Sequence, residues 1–318
     1  MSGVLDDGDV LDVTVPPLLD GVRVDRALSM LTGLTRSEAT TLVAAGAVTV
    51  DDVAVAKGSL VLLEGQRLSA TLPVLGPDVL EPDPSVLVDV VVEDDDFVVV
   101  DKAPGVVVHP GAGHRSGTLV AGLLARYPDL ALMGDVEGSD PMRPGVVQRL
   151  DKGTSGVLVV ARTALAYRSL TAQLADRTME RRYLGLVEGQ MDDDHGVVDA
   201  PIGRSQRTPT KMAVRSGGRP ARTAYAVQRR FDTPARTLLE LRLESGRTHQ
   251  IRVHLSAIGR PVVNDPRYGR RREPALAEGR VFLHAAVLGF DHPASGERVR
   301  VASALPGDLQ ALLDGLSE

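Results

Sequence analysis

VVQRLDKGTSGVLVVA, residues 146–161, places a polar loop between two apolar runs. Val146-Val147 leads in, Val157–Ala161 leads out, and the loop carries Arg149, Asp151, Lys152, Thr154 and Ser155. A short apolar run bounded by glycine reads as a buried strand, so the loop belongs at a strand end. A carboxylate set among cations there is expected to be ionised, because a positive charge within about 4–6 Å favours the charged form. That is the state a nucleophilic carboxylate needs. Taken alone, the stretch reads more simply as a surface turn with a routine ion pair.

Strand-like runs flank this loop on both sides. Val88–Glu93, Phe97–Asp101 and Val106–Val108 precede it, with Pro104-Gly105 as a turn; Tyr183–Val187 and Leu238–Leu243 follow. Thr163–Asp176 has helical spacing through Leu165, Leu170 and Leu174. Thr248 reads as the cap of a helix carrying Ile251, Leu255 and Ile258, stopped by Gly259 and Pro261. Strands outnumber helices without alternating regularly with them, which argues for an α+β domain on a mixed, mainly antiparallel sheet.

Nearer the N-terminus the pattern changes. Val24–Leu31 puts Val24, Ala27, Leu28 and Leu31 on one helical face, and Thr35-Arg36-Ser37-Glu38 is a capping box for a helix ending at Gly46. Short β-prone runs follow at Val48–Val50, Val53–Val55 and Leu60–Leu63. Residues 75–87, with three prolines, read as a linker. The expected organisation is a small module at 15–74, the linker, and a larger domain at 88–318.

Composition narrows the chemistry. The 318 residues contain no cysteine, which excludes disulfides, thiolate metal sites and a cysteine nucleophile. The start, MSGVLDDGDVLD, is acidic and unlike a signal peptide, and no apolar run reaches membrane-spanning length, so the cytoplasm is expected. Net charge is −6, yet residues 1–100 hold 5 basic and 18 acidic side chains against 31 and 24 in residues 101–318. Between Asp199 and Asp232 there is no acid, while Arg204, Arg207, Lys211, Arg215, Arg219, Arg222, Arg229 and Arg230 all fall there. Such a block is either a footprint for phosphates or a solvated arginine-rich loop. P-loop, dinucleotide-binding and H-E-x-x-H motifs are absent. His249 and His254 are five apart, on different helix faces, and read as packing or hydrogen-bonding residues.

Four ordered segments resemble the RluA-type pseudouridine synthases. VQRLDKGTSGVLVVART is similar to their H-R-L-D-x-x-T-S-G motif, and VVVDKAPGVVVHPGAGHRSGTL to their N-K-P-x-G-x-x-V-H-P segment. ERRYLGLVEG supplies the tyrosine motif, and GRTHQIRVHLSAIGRPVVNDPRYG resembles the G-R-T-H-Q-I-R-V-H segment. RVDRALSMLTGLTRSEATTLVAAGAVTVDD resembles an S4 RNA-binding domain, an arrangement that points to the RluD-like group.

The resemblance implies an isomerase that converts uridine in structured RNA to pseudouridine. No group is lost and no redox change occurs, so neither metal nor cofactor is expected. By resemblance Asp151 is the catalytic aspartate, attacking C1′, stabilising an oxocarbenium-like state, or assisting a glycal route. Arg247 would pair with it, Tyr183 would stack on the base and shuttle a proton, and Arg149 would occupy the space of the extruded nucleotide. Arg204, Arg207, Lys211 and Arg215 are the expected phosphate contacts. The implied partner is 23S rRNA or the large ribosomal subunit; the alternatives are tRNA, another rRNA site, or a non-catalytic RNA-binding assembly factor. Three departures stand out. Gln148 replaces the usual His and cannot titrate, Asn264 replaces a usual Gly, and helix 36–45 has one Arg and one Glu where S4 domains display several basic residues.

Overall fold

Apolar positions three and four apart build the helices of the first unit. The computed structural model describes residues 10–32, 34, 36–72, 80–111, 116–208, 210–269 and 271–317. Thr35 of the expected capping box, most of the acidic N-terminal stretch, residues 75–79 of the expected linker, and residues 112–115 of the VVVDKAPGVVVHPGAGHRSGTL segment lie outside them. The chain follows β1 (Val10–Thr14), α1 (Val24–Thr32), α2 (Arg36–Ala44), β2 (Val48–Val50), β3 (Val53–Ala54) and β4 (Arg67–Thr71). Val24, Ala27 and Leu28 bury the inner face of α1, and Gly46, at φ +74°, follows α2. The sheet order is β1-β4-β2-β3. Leu60–Leu63 does not join it: only a single bridge, Val61 to Arg23, forms there. β4 takes that place, because Leu68 and Ala70 alternate inward between less buried neighbours.

The second unit begins at Leu80, inside the expected linker. Val86 and Val88 pack so closely on Gly122 that a Cβ there would meet the Val86 carbonyl at 2.7 Å, and the Asp83 amide donates to Ala121 O. Its elements are β5 (Val90–Glu93), β6 (Phe97–Lys102), α3 (Leu119–Arg126), β7 (Ser155–Ala161), α4 (Ala164–Ala175), β8 (Glu180–Glu188), β9 (His195–Asp199), β10 (Ile202–Arg204), β11 (Met212–Val214), β12 (Arg222–Asp232), β13 (Ala235–Leu243), α5 (Gln250–Ala257), β14 (Leu283–Asp291), β15 (Arg298–Ala302) and α6 (Gly307–Asp314). Nine strands form one sheet in the order β5-β6-β7-β14-β8-β13-β12-β9, with β15 added to β14. Among these pairings only β7 with β14 is parallel. The fold is α+β.

β7 is buried at every position, as a central strand must be when both sheet faces are covered. Gly156 marks its close approach to β14. At φ +116°, it leaves no room for a Cβ, which would fall 2.3 Å from Ala285 O. Val106–Val108 makes only a bridge, from Val107 to Thr118. β10 and β11 form a separate hairpin.

Candidate active site

The polar loop ahead of β7 is tied down carbonyl by carbonyl. Asp151 O accepts from the Thr154 amide at 3.0 Å, Lys152 O from the Gly105 amide at 2.7 Å, and Gly153 O from Arg280 Nη1 at 3.0 Å. Beneath the loop lies Lys102, 1% exposed, whose Nζ donates to Ala103 O and Val106 O at 2.7 and 2.9 Å. Burial first, then the charge of Arg280, pulls this amine down to about 7, against Asp151 and Asp101. Asp151 is thereby presented from a rigid turn rather than from a mobile loop.

The cation that meets Asp151 comes from α5. Arg252 Nη1 donates to Asp151 Oδ2 at 2.7 Å, while its Nε and Nη2 donate to Asp265 at 2.7 and 2.8 Å. Burial opposes the charged guanidinium, but the bond to Asp265 and the charges of Asp151 and Asp265 outweigh it and hold Arg252 above its ordinary range. Asp265 is buried too, and the Arg252 guanidinium overcomes that burial to hold its carboxyl below the ordinary range. His249 caps α5 in the left-handed conformation, at φ +56°. Its Nδ1 lies 2.8 Å from the Tyr268 hydroxyl and its Nε2 4.0 Å from Asp151 Oδ1.

A cleft of about 550 Å³ opens over this pair, lined by Asp151, Tyr183, Arg252, His249 and Gln148, with Arg143, Arg149, Arg177, Arg181 and Arg247 among its other side chains. Tyr183 is 7% exposed; burial raises its phenol against the opposing charge of Arg181, with Asp151 adding, so it stays neutral at physiological pH and offers an O–H. Arginine guanidinium groups beside the carboxylates of Asp151 and Glu244 and the ring of Tyr183 suit an anionic, ring-bearing substrate. Among the described residues, no group of three or more His, Asp or Glu is placed to hold a metal ion.

The sequence-based expectations meet this geometry unevenly. Asp151, Tyr183, Arg149 and Arg247 all line the cleft, Arg149 as an exposed residue. Arg247 is not the partner of Asp151, however. It precedes α5 on the loop, and its Nε donates to Pro220 O at 3.1 Å. Thr248 is not the cap; the helix starts two residues later, at Gln250, which turns Arg252 toward Asp151. Arg204, Arg207, Lys211 and Arg215 lie on or beside the β10–β11 hairpin and do not line the cleft. Lys211 Nζ donates to Arg267 O, and Arg215 to Ser216 O and Arg204 O. Arg222 and Arg230 of the same basic block are paired, with Glu244 and Asp194. Arg252 lies within the G-R-T-H-Q-I-R-V-H segment and Asp265 eleven residues past its end, but nothing in that segment distinguishes its two arginines, Arg247 and Arg252. Asn264 adopts φ +57°, and its amide donates to Ala277 O and Arg280 O.

The sequence profile of the RNA pseudouridylate synthase family matches residues 96–257, a span containing Asp151, Tyr183 and Arg252. The chain is 40% identical over 309 residues to the "Uncharacterized RNA pseudouridine synthase YlyB" of Bacillus subtilis, covering 96% of this chain and 98% of that protein. It is 40% identical over 322 residues to the "Ribosomal large subunit pseudouridine synthase D" of Nitrosomonas europaea, covering 99% and 90%. Against the solved structure of "Human RNA Pseudouridylate Synthase Domain Containing 1" it gives a TM-score of 0.54 at 28% identity, over 74% of this chain and 91% of that one. By its sequence, its sheet and the span that holds this cleft, the chain belongs to the RNA pseudouridylate synthase family and to its RluA/RluD-type branch.

Proposed function

We propose that this RNA pseudouridine synthase acts on uridine in large-subunit 23S rRNA, in the cytoplasm, with Asp151 as its catalytic carboxylate. The observation that carries this reading is the Asp151–Arg252 ion pair, set beside Tyr183 in a cleft otherwise rich in arginine. Isomerisation breaks the N1–C1′ bond, turns the uracil, and joins C5 to C1′; C5 gives up its proton and N1 gains one. Asp151 acts on the ribose while the N1–C1′ bond opens, and Arg252 orients its carboxylate. Tyr183 lies against the uracil ring, and its neutral hydroxyl is placed to pass a proton.

A uridine in a folded RNA reaches this cleft only by leaving its stack, at a cost of roughly a few kcal/mol. Arg149 fills the space it leaves, and Arg247 meets the strand at the cleft. The phosphate contacts of Arg204, Arg207, Lys211 and Arg215 offset part of the cost. The first unit is an S4-like module at 15–74. The large-subunit target rests on relatives carrying the name "Ribosomal large subunit pseudouridine synthase D", among them the protein of Xanthomonas campestris at 48% identity over 241 residues.

Asp151→Asn removes the charge and little else. It should abolish tritium release from [5-³H]uridine RNA, in a reaction run with no metal or nucleotide added, while RNA binding persists. Activity within tenfold of the wild type would sink the assignment. Carbodiimide mapping in a deletion strain should show pseudouridines missing from 23S rRNA; loss from tRNA alone would redirect the target.

A further inference from the structure

Among the described residues of the second unit, four arginines are buried: Arg181, Arg236, Arg252 and Arg280. Three of them face carboxylates: Arg236 meets Glu273, Arg252 meets Asp265 and Asp151, and Arg280 meets Asp308. Arg181, 6% exposed, has no carboxylate partner among the described residues. Its Nη2 reaches the Leu243 carbonyl at 3.4 Å, and its Nε is buried with no partner at all. Burial accordingly presses its guanidinium below the ordinary arginine range. A protein rarely retains a buried charge without a counter-charge, because desolvation is then uncompensated.

The place of this charge says what would compensate it. Arg181 precedes Tyr183 by two residues on β8, so the two side chains share a sheet face roughly 7 Å apart along the strand. Both line the cleft. Gly246 leaves the guanidinium uncovered on one side, where a Cβ would come within 3.0 Å of Nη1. Arg247 follows on the same turn and is itself pressed by burial and by the charges of Arg219 and Arg177. The acid of this neighbourhood, Glu244, is held by Arg222 at 2.9 Å and Arg177 at 3.5 Å.

We propose that Arg181 is the floor of a phosphate subsite, which takes a phosphodiester of the substrate strand next to the uridine held at Asp151. The proposal rests on the RNA-substrate reading above and adds the group that anchors the strand. A phosphodiester brings the missing negative charge and two oxygens that match the guanidinium fork. The free protein carries this charge unmet; RNA meets it. Arg247 and Arg177 close the subsite toward solvent.

Replacing Arg181 therefore has two effects of opposite sign. Arg181→Met keeps the length of the side chain and removes the unmet charge, so the free protein should melt at the same or a higher temperature. Its affinity for single-stranded oligouridylate, whose bases need no unstacking, should fall at least tenfold at 50 mM salt. The slope of log K against log salt should flatten by about 0.7, the loss of one phosphate contact on a single strand. Arg181→Lys, with charge but no fork, should bind with intermediate affinity and the wild-type slope. A lower Tm with unchanged affinity, or failure of the Met variant to fold, would give Arg181 a structural role and overturn the subsite. Lost affinity with an unchanged slope would place a neutral base edge there instead, and equally overturn it. If wild-type binding to oligouridylate shows no salt dependence, the RNA reading beneath the proposal fails, a result distinct from either.

Discussion

Asp265 takes two of the three donating nitrogens of Arg252, Nε and Nη2, and leaves Nη1 for Asp151. The side chain of Asp265 is fully buried, so Arg252 is fixed before any substrate arrives. Preorganisation of this kind costs nothing during the reaction, which is why small misplacements reduce rates strongly. Asp265→Asn should lower single-turnover kcat by about 10- to 100-fold with little change in RNA affinity. The melting temperature should also fall, since breaking a buried pair costs about 3–5 kcal/mol. A folded variant with kcat within twofold of the wild type would show that Arg252 needs no such support.

The two arginines of the GRTHQIR segment should separate kinetically. Arg252→Ala leaves Asp151 without its ion pair and should lose turnover even at saturating RNA. Arg247→Ala removes a cleft cation that does not touch Asp151, so it should raise KM and spare kcat. Equal loss of kcat in both variants would argue that Arg247 reaches the reacting atoms once RNA is bound.

Lys102 gives stability a dependence on pH. Its folded value of about 7 lies below the ordinary lysine range, so from about pH 7 to 10 the unfolded chain binds more protons than the native one. Stability from this group is therefore lowest below about pH 7 and rises through that window. The depressed histidines, His109, His249, His254 and His284, act below it, losing stability as pH falls under about 6.5. Lys102→Met should flatten the rise in Tm between pH 7.5 and 9.5. Identical pH slopes in the two proteins would mean the amine is charged throughout.

RNA affinity should depend on the basic hairpin more than on the first unit. Replacing Arg204, Arg207, Lys211 and Arg215 with Ala removes up to four phosphate contacts and should flatten the salt slope by up to about three units. In the first unit the basic side chains are largely engaged: Arg23 and Arg36 meet Asp25, and Arg67 meets Asp12. Deleting residues 1–75 takes away 5 basic and 10 acidic residues and should leave non-specific affinity unchanged or slightly tighter. Filter binding at two salt concentrations compares the variants. A tenfold loss from the deletion, with little from the hairpin changes, would put the RNA contacts in the first unit.

Local pattern was enough for the elements whose burial repeats along the chain. α1 shows its face through Val24, Ala27 and Leu28, and β6 and β7 announce themselves through the apolar runs Phe97–Val100 and Val157–Ala161. α3 and β12 gave no such signal. α3 is apolar on nearly every side, and β12 alternates weakly because five of its eleven residues are exposed, each of them charged or polar. The motif order named the family and singled out Asp151, which lines the cleft. Which arginine faces it was a tertiary matter. The two partners are 101 residues apart, and the choice turns on where α5 begins. With His249 in a left-handed cap and Gln250 as the first helical residue, Arg252 swings inward to Asp151 and Asp265 while Arg247 stays on the preceding loop. Sequence specifies which groups a chain carries; only folding across distant strands decides which charges are buried together, and so leaves Arg181 without a counter-charge.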